Sequence, residues 1–141
     1  MGLSIRNQLP GTVVSVAEGE AMAAVKVRLE GGQEITAAIT LDAVRELGIA
    51  EGSAVRALAK STEISLATGR SPVQGLSIRN QLPGTIAEIT VGGAMATVKV
   101  TIPGASLTAA ITKDAVVDLG LTTGAAVVAL IKSTEISLAT A

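Results

Sequence analysis

Hydrogen-bond donors are concentrated at the two ends of a segment that occurs twice in the chain. One end carries a serine, an arginine, an asparagine and a glutamine, and the other carries a lysine followed by a serine and a threonine. These side chains donate hydrogen bonds, and two of them are cations, so they are suited to hold an anion. We therefore interpret the ends as the two halves of an anion-binding site. The candidates of the first copy are Ser4, Arg6, Asn7, Gln8, Lys60, Ser61 and Thr62.

The same donors return, letter for letter, in the second half of the chain. Residues 2–12 recur at 75–85 and residues 60–68 recur at 132–140, whereas the sequence between these blocks differs between the copies. Identical ends around a divergent middle indicate that the ends of both copies do one shared job. The equivalent candidates of the second copy are Ser77, Arg79, Asn80, Lys132, Ser133 and Thr134.

The duplication also predicts the domain organisation. Each copy is about 65 residues long, which is close to the smallest unit that folds alone. The predicted domains are residues 1–68 and 75–141, joined by residues 69–74, a linker too short to let them move far apart. The second copy is one residue shorter, and the difference falls in a Gly- and Pro-rich turn, where residues 30–34 face 103–106 and length changes cost little.

The composition excludes several classes of chemistry. The chain has no His, no Cys and no aromatic residue, so it lacks the usual base at neutral pH, a thiol nucleophile and the imidazole or thiolate ligands of transition metals. No carboxylate pair stands out as a general acid and base, and we do not expect an enzyme. The missing aromatic side chains and the net charge of −1 argue against binding to nucleic acid.

No segment of the sequence indicates export or insertion into a membrane. The N-terminus lacks a basic region followed by an apolar run, which a secretory signal would require. Charged residues interrupt every apolar stretch well before the roughly 18 residues that span a bilayer. We therefore expect a cytoplasmic protein with no membrane partner.

The apolar residues are numerous but small. Hydrophobic residues make up 48% of the chain, yet Phe, Trp and Tyr are absent, so Ala, Val, Ile and Leu must fill the core. A module of this size built from aliphatic side chains alone has a thin core and would be marginally stable. We therefore expect a homo-oligomer that buries further apolar surface between subunits.

The hydrophobic pattern predicts a mostly β chain. Residues 12–16 are rich in β-branched side chains, and residues 22–30 and 34–40 alternate between apolar and polar, as half-buried strands do. Residues 53–59 and 64–66 are predicted as the closing strands of the first copy. The second copy repeats the pattern.

One short helix per copy interrupts the strands. Thr40 is a favourable N-cap for a helix over residues 41–47, with Gly48 in the position that ends it. Thr112 and Gly120 frame the equivalent helix of the second copy. About five short strands and one short helix per module predict an all-β fold of two tandem, OB-like small barrels.

Both copies resemble the Mop, or molbindin, domain. Each begins with Ser-Ile-Arg-Asn-Gln-Leu-Pro-Gly-Thr, which resembles the Ser-Ala-Arg-Asn-x-x-x-Gly opening of that domain. Thr-Ala-Ala-Ile-Thr, the Ala-Val-x-x-Leu-Gly helix and Lys-Ser-Thr-Glu-Ile then follow in the same order. The resemblance covers nearly the whole chain, and the chain is identified as a tandem molbindin of the Mop/TOBE type, similar to the cytoplasmic form that stores molybdenum.

The resemblance implies a ligand and an assembly. The ligand would be molybdate, with tungstate as a second candidate, held for molybdenum storage or homeostasis; the metal would enter as its oxyanion, with no metal ion ligated directly by the protein. The assembly would be a homotrimer with sites between modules. A regulatory module that senses molybdate for a transporter or a transcription factor is the alternative. The implied anion-binding residues are Ser4, Arg6, Lys60 and Ser61 with Ser77, Arg79, Lys132 and Ser133, and Asn7 and Asn80 near the threefold axis.

Each of these residues also has a structural interpretation. The arginines and lysines are equally typical of solvated surface positions. The Ser-Thr pairs are common in turns, and the asparagines commonly satisfy local backbone groups. Glu63 and Glu135, which follow the donors directly, would orient the nearby cations or make a purely structural pair.

Overall fold

Two five-stranded antiparallel sheets make up most of the computed structural model, which describes residues 2–141. Each copy contributes five strands and one short helix, so the predicted all-β class and the single helix per module are confirmed. The strands are β1 (Asn7–Glu18), β2 (Met22–Leu29), β3 (Glu34–Thr40), β4 (Ala54–Ala59), β5 (Ile64–Thr68), β6 (Asn80–Val91), β7 (Met95–Ile102), β8 (Ala105–Thr112), β9 (Ala126–Ile131) and β10 (Ser137–Thr140), and the helices are α1 (Leu41–Leu47) and α2 (Lys113–Asp118).

Alternation of apolar and polar residues explains the strands in the middle of each copy. Along β2, Val25 and Val27 are fully buried while Lys26 between them is exposed, as the period of two requires. β1 is much longer than the predicted residues 12–16, and it begins at Asn7. Its first half contains Gln, Pro and Gly, which have low strand propensity, and pairing with β4 is what keeps it extended.

Both helices begin where the sequence predicts, and α1 also ends as predicted, whereas α2 ends at Asp118 with Leu119, not Gly120, as its C-cap. The hydroxyl Oγ1 of Thr40 accepts a hydrogen bond from the amide of Ala43 at 3.1 Å, and Gly48 ends the helix with φ of 63°. In the second copy, Thr112 accepts from Ala115 at the same distance. Neither helix in residues 2–141 has the length and apolar character needed to cross a membrane.

The last strand of each copy joins the sheet of the other copy. The first sheet has the order β10-β4-β1-β2-β3, and the second has the order β5-β9-β6-β7-β8. The chain therefore crosses between the sheets twice, through residues 60–63, the first crossover, and residues 132–135, the second crossover. Since each sheet contains strands of both copies, the domain boundaries at residues 68 and 75 stay a prediction.

The exchange explains how a chain without aromatic residues fills its core. The buried aliphatic side chains of both sheets form one continuous cluster rather than two separate cores. Ile64 and Ile136, which follow the crossovers, belong to this cluster and are almost completely buried. Two thin cores thus become one larger core, which buries a greater share of the apolar surface than either module could alone.

The hairpin turns of the two copies also meet. Gly31, between β2 and β3, lies directly against the carbonyl oxygen of Pro103, between β7 and β8, so that no side chain larger than hydrogen fits there. The side-chain amide of Gln33 donates a hydrogen bond to the same carbonyl at 3.0 Å. The one-residue difference in length between the copies lies in this pair of turns, as predicted.

Paired cysteines would test the strand exchange, since the chain has no Cys of its own. Ala139 of β10 pairs with Arg56 of β4, and residues facing each other across antiparallel strands lie within disulfide range. We expect the R56C/A139C variant to form an intrachain disulfide on mild oxidation, detected by faster migration on a non-reducing gel and by the loss of both free thiols.

The matched control is the R56C/A67C variant. Ala67 occupies the same place as Ala139 in the identical segment, but it pairs with Val128 in the other sheet. This variant should keep both thiols free. A disulfide in the control, or one formed between two chains, would contradict the exchange within one chain.

Candidate anion-binding site

Five of the seven predicted donors of the first copy lie together in one small pocket. Its volume is about 150 Å³, and it is completed by Ile5 and Thr62. We refer to it as the first pocket. Besides Thr62, its donors are the four implied by the resemblance: Ser4, Arg6, Lys60 and Ser61.

A second pocket repeats this arrangement in the second copy. Its volume is about 230 Å³, and Ile78 and Thr134 complete it. The four donors are again the predicted ones: Ser77, Arg79, Lys132 and Ser133. All eight residues therefore line pockets within a single chain.

Strand pairing explains why residues more than fifty positions apart line one pocket. β1 and β4 are antiparallel neighbours, and Asn7 at the start of β1 pairs with Ala59 at the end of β4. Arg6, which precedes β1, and Lys60, which follows β4, therefore leave the sheet at the same end. The pairing of Asn80 with Ile131 does the same in the second copy.

Among the described residues, no carboxylate makes an ion pair with a pocket cation. The ion pairs within residues 2–141 are Arg28–Glu34 at 2.9 Å and Lys99–Glu88 at 3.8 Å, both on exposed strand faces. Glu63 and Glu135 make no ion pair in this part of the chain, so the orienting role expected for them is not supported. The positive charge of each pocket is thus available to a ligand.

The arginines organise the segment that precedes each first strand. The guanidinium Nε of Arg6 donates to the carbonyl oxygen of Ser4 at 3.1 Å, and its Nη2 donates to Leu3 at 3.3 Å. Arg79 makes the same two bonds in the second copy at the same distances. Because a guanidinium carries five N–H groups, three remain for an anion.

The serines at the start of the crossovers have unpaired hydroxyl groups. The Oγ atoms of Ser61 and Ser133 are buried, and neither has a hydrogen-bond partner within residues 2–141. A buried hydroxyl without a partner costs about 1–3 kcal/mol, and native proteins keep few of them. Since both copies retain this unfavourable feature inside the pocket, it fits a ligand oxygen as the missing partner.

The asparagines are placed differently from the other candidates. Asn7 is 3% exposed, and its Nδ2 donates to the carbonyls of Ala59 at 3.0 Å and Thr108 at 2.9 Å, while its Oδ1 accepts from the amide of Thr108 at 2.7 Å. Asn80 is 2% exposed and makes the equivalent two bonds with the backbone of Thr36, at 2.7 and 2.9 Å.

Both amide hydrogens of Asn7 are thus used within the chain. This agrees with the structural interpretation of the asparagines, although Thr108 and Thr36, which they bind, belong to the opposite copy in each case. Their role as anion ligands near a threefold axis stays a prediction. Local sequence carries no signal for the contact, because Thr108 is 101 residues away from Asn7.

Gln8, the remaining donor of the first block, lies outside the pocket. Its Oε1 accepts a hydrogen bond from Arg56 at 3.1 Å, and its Nε2 donates to the carbonyl of Ile5 at 3.1 Å. Gln8 therefore supports the backbone behind the pocket instead of facing it. Within residues 2–141, no group of Asp and Glu could hold a metal ion.

Comparison with known proteins gives the family. A model of the TOBE domain matches residues 3–66 and again residues 76–138. The chain belongs to the TOBE domain family. This tandem TOBE chain is also similar to the solved structure of the cytoplasmic molybdate-binding protein ModG with molybdate bound: the TM-score is 0.95, the identity is 37%, and the match covers 100% of both chains. That match and the two curled sheets confirm the tandem OB-like fold.

Curated relatives of the TOBE chain include longer proteins. The molybdenum-pterin-binding protein MopB of Rhodobacter capsulatus is 38% identical over 137 residues, which are 96% of this chain and 50% of MopB. The molybdenum transport protein ModE of Azotobacter vinelandii is 37% identical over 140 residues, which are 99% of this chain and 51% of ModE. The chain thus spans about half the length of the curated relatives it matches.

Replacing the buried serine tests whether its hydroxyl is unpaired in the free protein. In the Ser61→Ala variant, we expect the free energy of unfolding without ligand to stay unchanged or to rise by up to about 1 kcal/mol, because a desolvated and unpaired group is removed. Urea denaturation measures this difference.

Ser53→Ala is the matched control. The Oγ of Ser53 accepts a hydrogen bond from the amide of Ala50 at 3.0 Å, so its loss should lower the free energy of unfolding by about 1 kcal/mol. A comparable loss in Ser61→Ala would show that the Ser61 hydroxyl has a partner in the free protein.

Proposed function

We propose that the chain binds molybdate, and tungstate as well, in its first and second pockets, and that it serves molybdenum storage or homeostasis in the cytoplasm. The observation that carries the proposal is that the same donors line both pockets, with cations that make no ion pair within residues 2–141. The likeness to ModG, a cytoplasmic molybdate-binding protein, supports the same ligand.

The chemistry of the pocket complements this ligand. Molybdate at neutral pH is a tetrahedral dianion whose oxygens accept hydrogen bonds and carry no proton. In the first pocket, Arg6 and Lys60 offset the two negative charges, while the hydroxyls of Ser4 and Ser61 supply directional hydrogen bonds. The ligand would also satisfy the buried oxygen of Ser61.

Phosphate is a poorer match for the same pocket. At neutral pH it retains a proton, which needs an acceptor close to the anion. The side chains that line the first pocket include no carboxylate, so the phosphate O–H could donate only to hydroxyl or backbone oxygens, which are weaker acceptors than a carboxylate. A pocket of this kind therefore favours a fully deprotonated dianion.

A sensing role is the second candidate. It is favoured by the similarity to ModE, which is named as a molybdenum transport protein and of which this chain spans only about half. In that case, molybdate binding in the two pockets would be sensed by another protein or domain, which acts on a transporter or a transcription factor. A stoichiometric protein partner in a pull-down would favour sensing, and accumulation of the molybdate-loaded chain without such a partner would favour storage.

Equilibrium dialysis with molybdate tests the proposed ligand. We expect two strong sites per chain, and a tenfold excess of phosphate should displace little of the bound molybdate. The Lys60→Met variant should weaken one of the two sites at least about tenfold, because a charge-assisted hydrogen bond is lost.

Lys26→Met is the matched control. It removes the same charge from an exposed strand face that borders neither pocket, and it should leave both sites unchanged. No binding to the unmodified protein, or equal affinity for phosphate, would refute the proposed function.

We also propose that the chain assembles as a homotrimer. Large apolar side chains are exposed at equivalent positions of the two copies, at the first residue of each second strand and at the end of each helix. Met22 and Met95 are 45% and 47% exposed, and Leu47 and Leu119 are 42% and 43% exposed. Repeated exposure of this kind is typical of surface that a subunit contact covers.

Light scattering tests the assembly. We expect a mass near three times 14.0 kDa at micromolar concentration. The double variant L47E/L119E should lower this mass, because it would place charge in apolar contacts, whereas Lys26→Glu on an exposed strand face should not. A well-folded monomer of the unmodified protein would refute the proposed assembly.

A further inference from the structure

We infer that Asn7 and Asn80 are positioning residues: each holds one anion pocket against the opposite copy, so that filling the pocket and docking the two copies stabilise each other. The inference rests on the proposed function, since it concerns the same pockets. The asparagines would thus increase the affinity for the anion without touching it.

Asn7 joins the two chain segments that form the first pocket. It follows Arg6 directly, and its Nδ2 bonds the carbonyl of Ala59, which precedes Lys60. The bond therefore fixes the distance between the two segments just below the two cations. Burial strengthens this restraint, because an amide at 3% exposure has no water to replace a broken bond.

The same side chain reaches into the other copy. Its Nδ2 and Oδ1 bond the carbonyl and the amide of one residue, Thr108, on β8. β8 lies at the edge of its sheet, so the planar amide of Asn7 pairs with the free backbone edge as a further strand would. Asn80 pairs in the same way with Thr36 of β3, which is the edge of the other sheet.

The pockets rest on these same edge strands. The turn Ser61–Glu63 of the first crossover contacts β8, and the turn Ser133–Glu135 of the second crossover contacts β3. The first pocket is thus built from a segment that Asn7 anchors to β8 and a crossover that packs on β8. An anion that bridges Arg6 and Ser61 would pull both onto the edge of the second copy's sheet.

Linkage then makes the effect reciprocal. A ligand that binds the docked arrangement more tightly than an undocked one must stabilise docking by the same free energy. The carboxamide of asparagine supplies the donor and the acceptor in the planar arrangement that one backbone residue needs, whereas an aspartate lacks the N–H groups and a leucine of similar size lacks both.

Calorimetric titration with molybdate tests the inference. The unmodified protein should show two equivalent sites per chain. Asn7→Leu should leave one site unchanged and weaken the other about tenfold, because the segments of the first pocket lose their common anchor. Asn80→Leu should weaken the second pocket instead, because the segment before β6 loses its anchor to Thr36 of β3.

Gln33→Ala is the matched control. It also removes a hydrogen bond between the copies, the one to Pro103, but in the hairpin turns away from both pockets. Its two sites should keep their affinity. If the unmodified protein does not bind molybdate, the proposed function fails; if it binds and Asn7→Leu keeps two equal sites, the positioning role alone is overturned.

Amide hydrogen exchange in the unmodified protein tests the inference without a substitution, so the result does not depend on whether a variant folds. Saturation with molybdate should slow exchange at the amides of Thr36 and Thr108 at least about fivefold, since filling the pockets should suppress undocking. The amide of Gly52, which bonds the carbonyl of Val13 within the first sheet, should change less. Unchanged exchange at Thr36 and Thr108 in the saturated protein would overturn the inference.

Discussion

The antiparallel pairing of the first strand of each copy with the strand that follows the helix is the constraint on which the rest of the structure depends. Asn7 faces Ala59 in this register, so the residues before one strand and after the other emerge together. Were the register shifted by two residues, Arg6 and Lys60 would no longer share a pocket. Residues 2–12 contain the β1 side of this pairing, and residues 60–68 follow its β4 side. Both stretches are identical in the two copies, which agrees with a strand register that is fixed at that end of the sheet.

The exchange of the last strands turns two marginal modules into one body. Each module has only aliphatic side chains with which to build a core, and a single continuous cluster joins the two sheets. The exchange also places each pocket at a crossover between the sheets, where the backbone is not hydrogen-bonded as part of either sheet. Donors on such a segment are free of strand pairing and remain available to a ligand.

Each pocket combines features that lower the stability of the ligand-free protein. Two cations line each pocket and neither makes an ion pair within residues 2–141, and a serine oxygen is buried there with no hydrogen-bond partner in the same residues. Elsewhere on the described surface, Arg28 and Lys99 form ion pairs with glutamates. The pocket cations therefore differ from these surface cations in having no carboxylate partner within residues 2–141. A local cost that is repeated in both copies agrees with the proposed binding of a dianion, since functional sites often lower stability.

The sequence by itself determined the strands with strict alternation, both helices with their threonine caps, the tandem organisation and the eight donors that line the two pockets. These features follow from local patterns, namely the period of two, the capping positions and the exact repetition of two blocks. Only the tertiary structure decided where the closing strands pair, because residues 64–68 and 136–140 are identical and fit either sheet equally well. It alone also decided the role of the asparagines, since the backbone group that Asn7 binds on β8 is 101 residues distant and no local pattern encodes a contact across that separation.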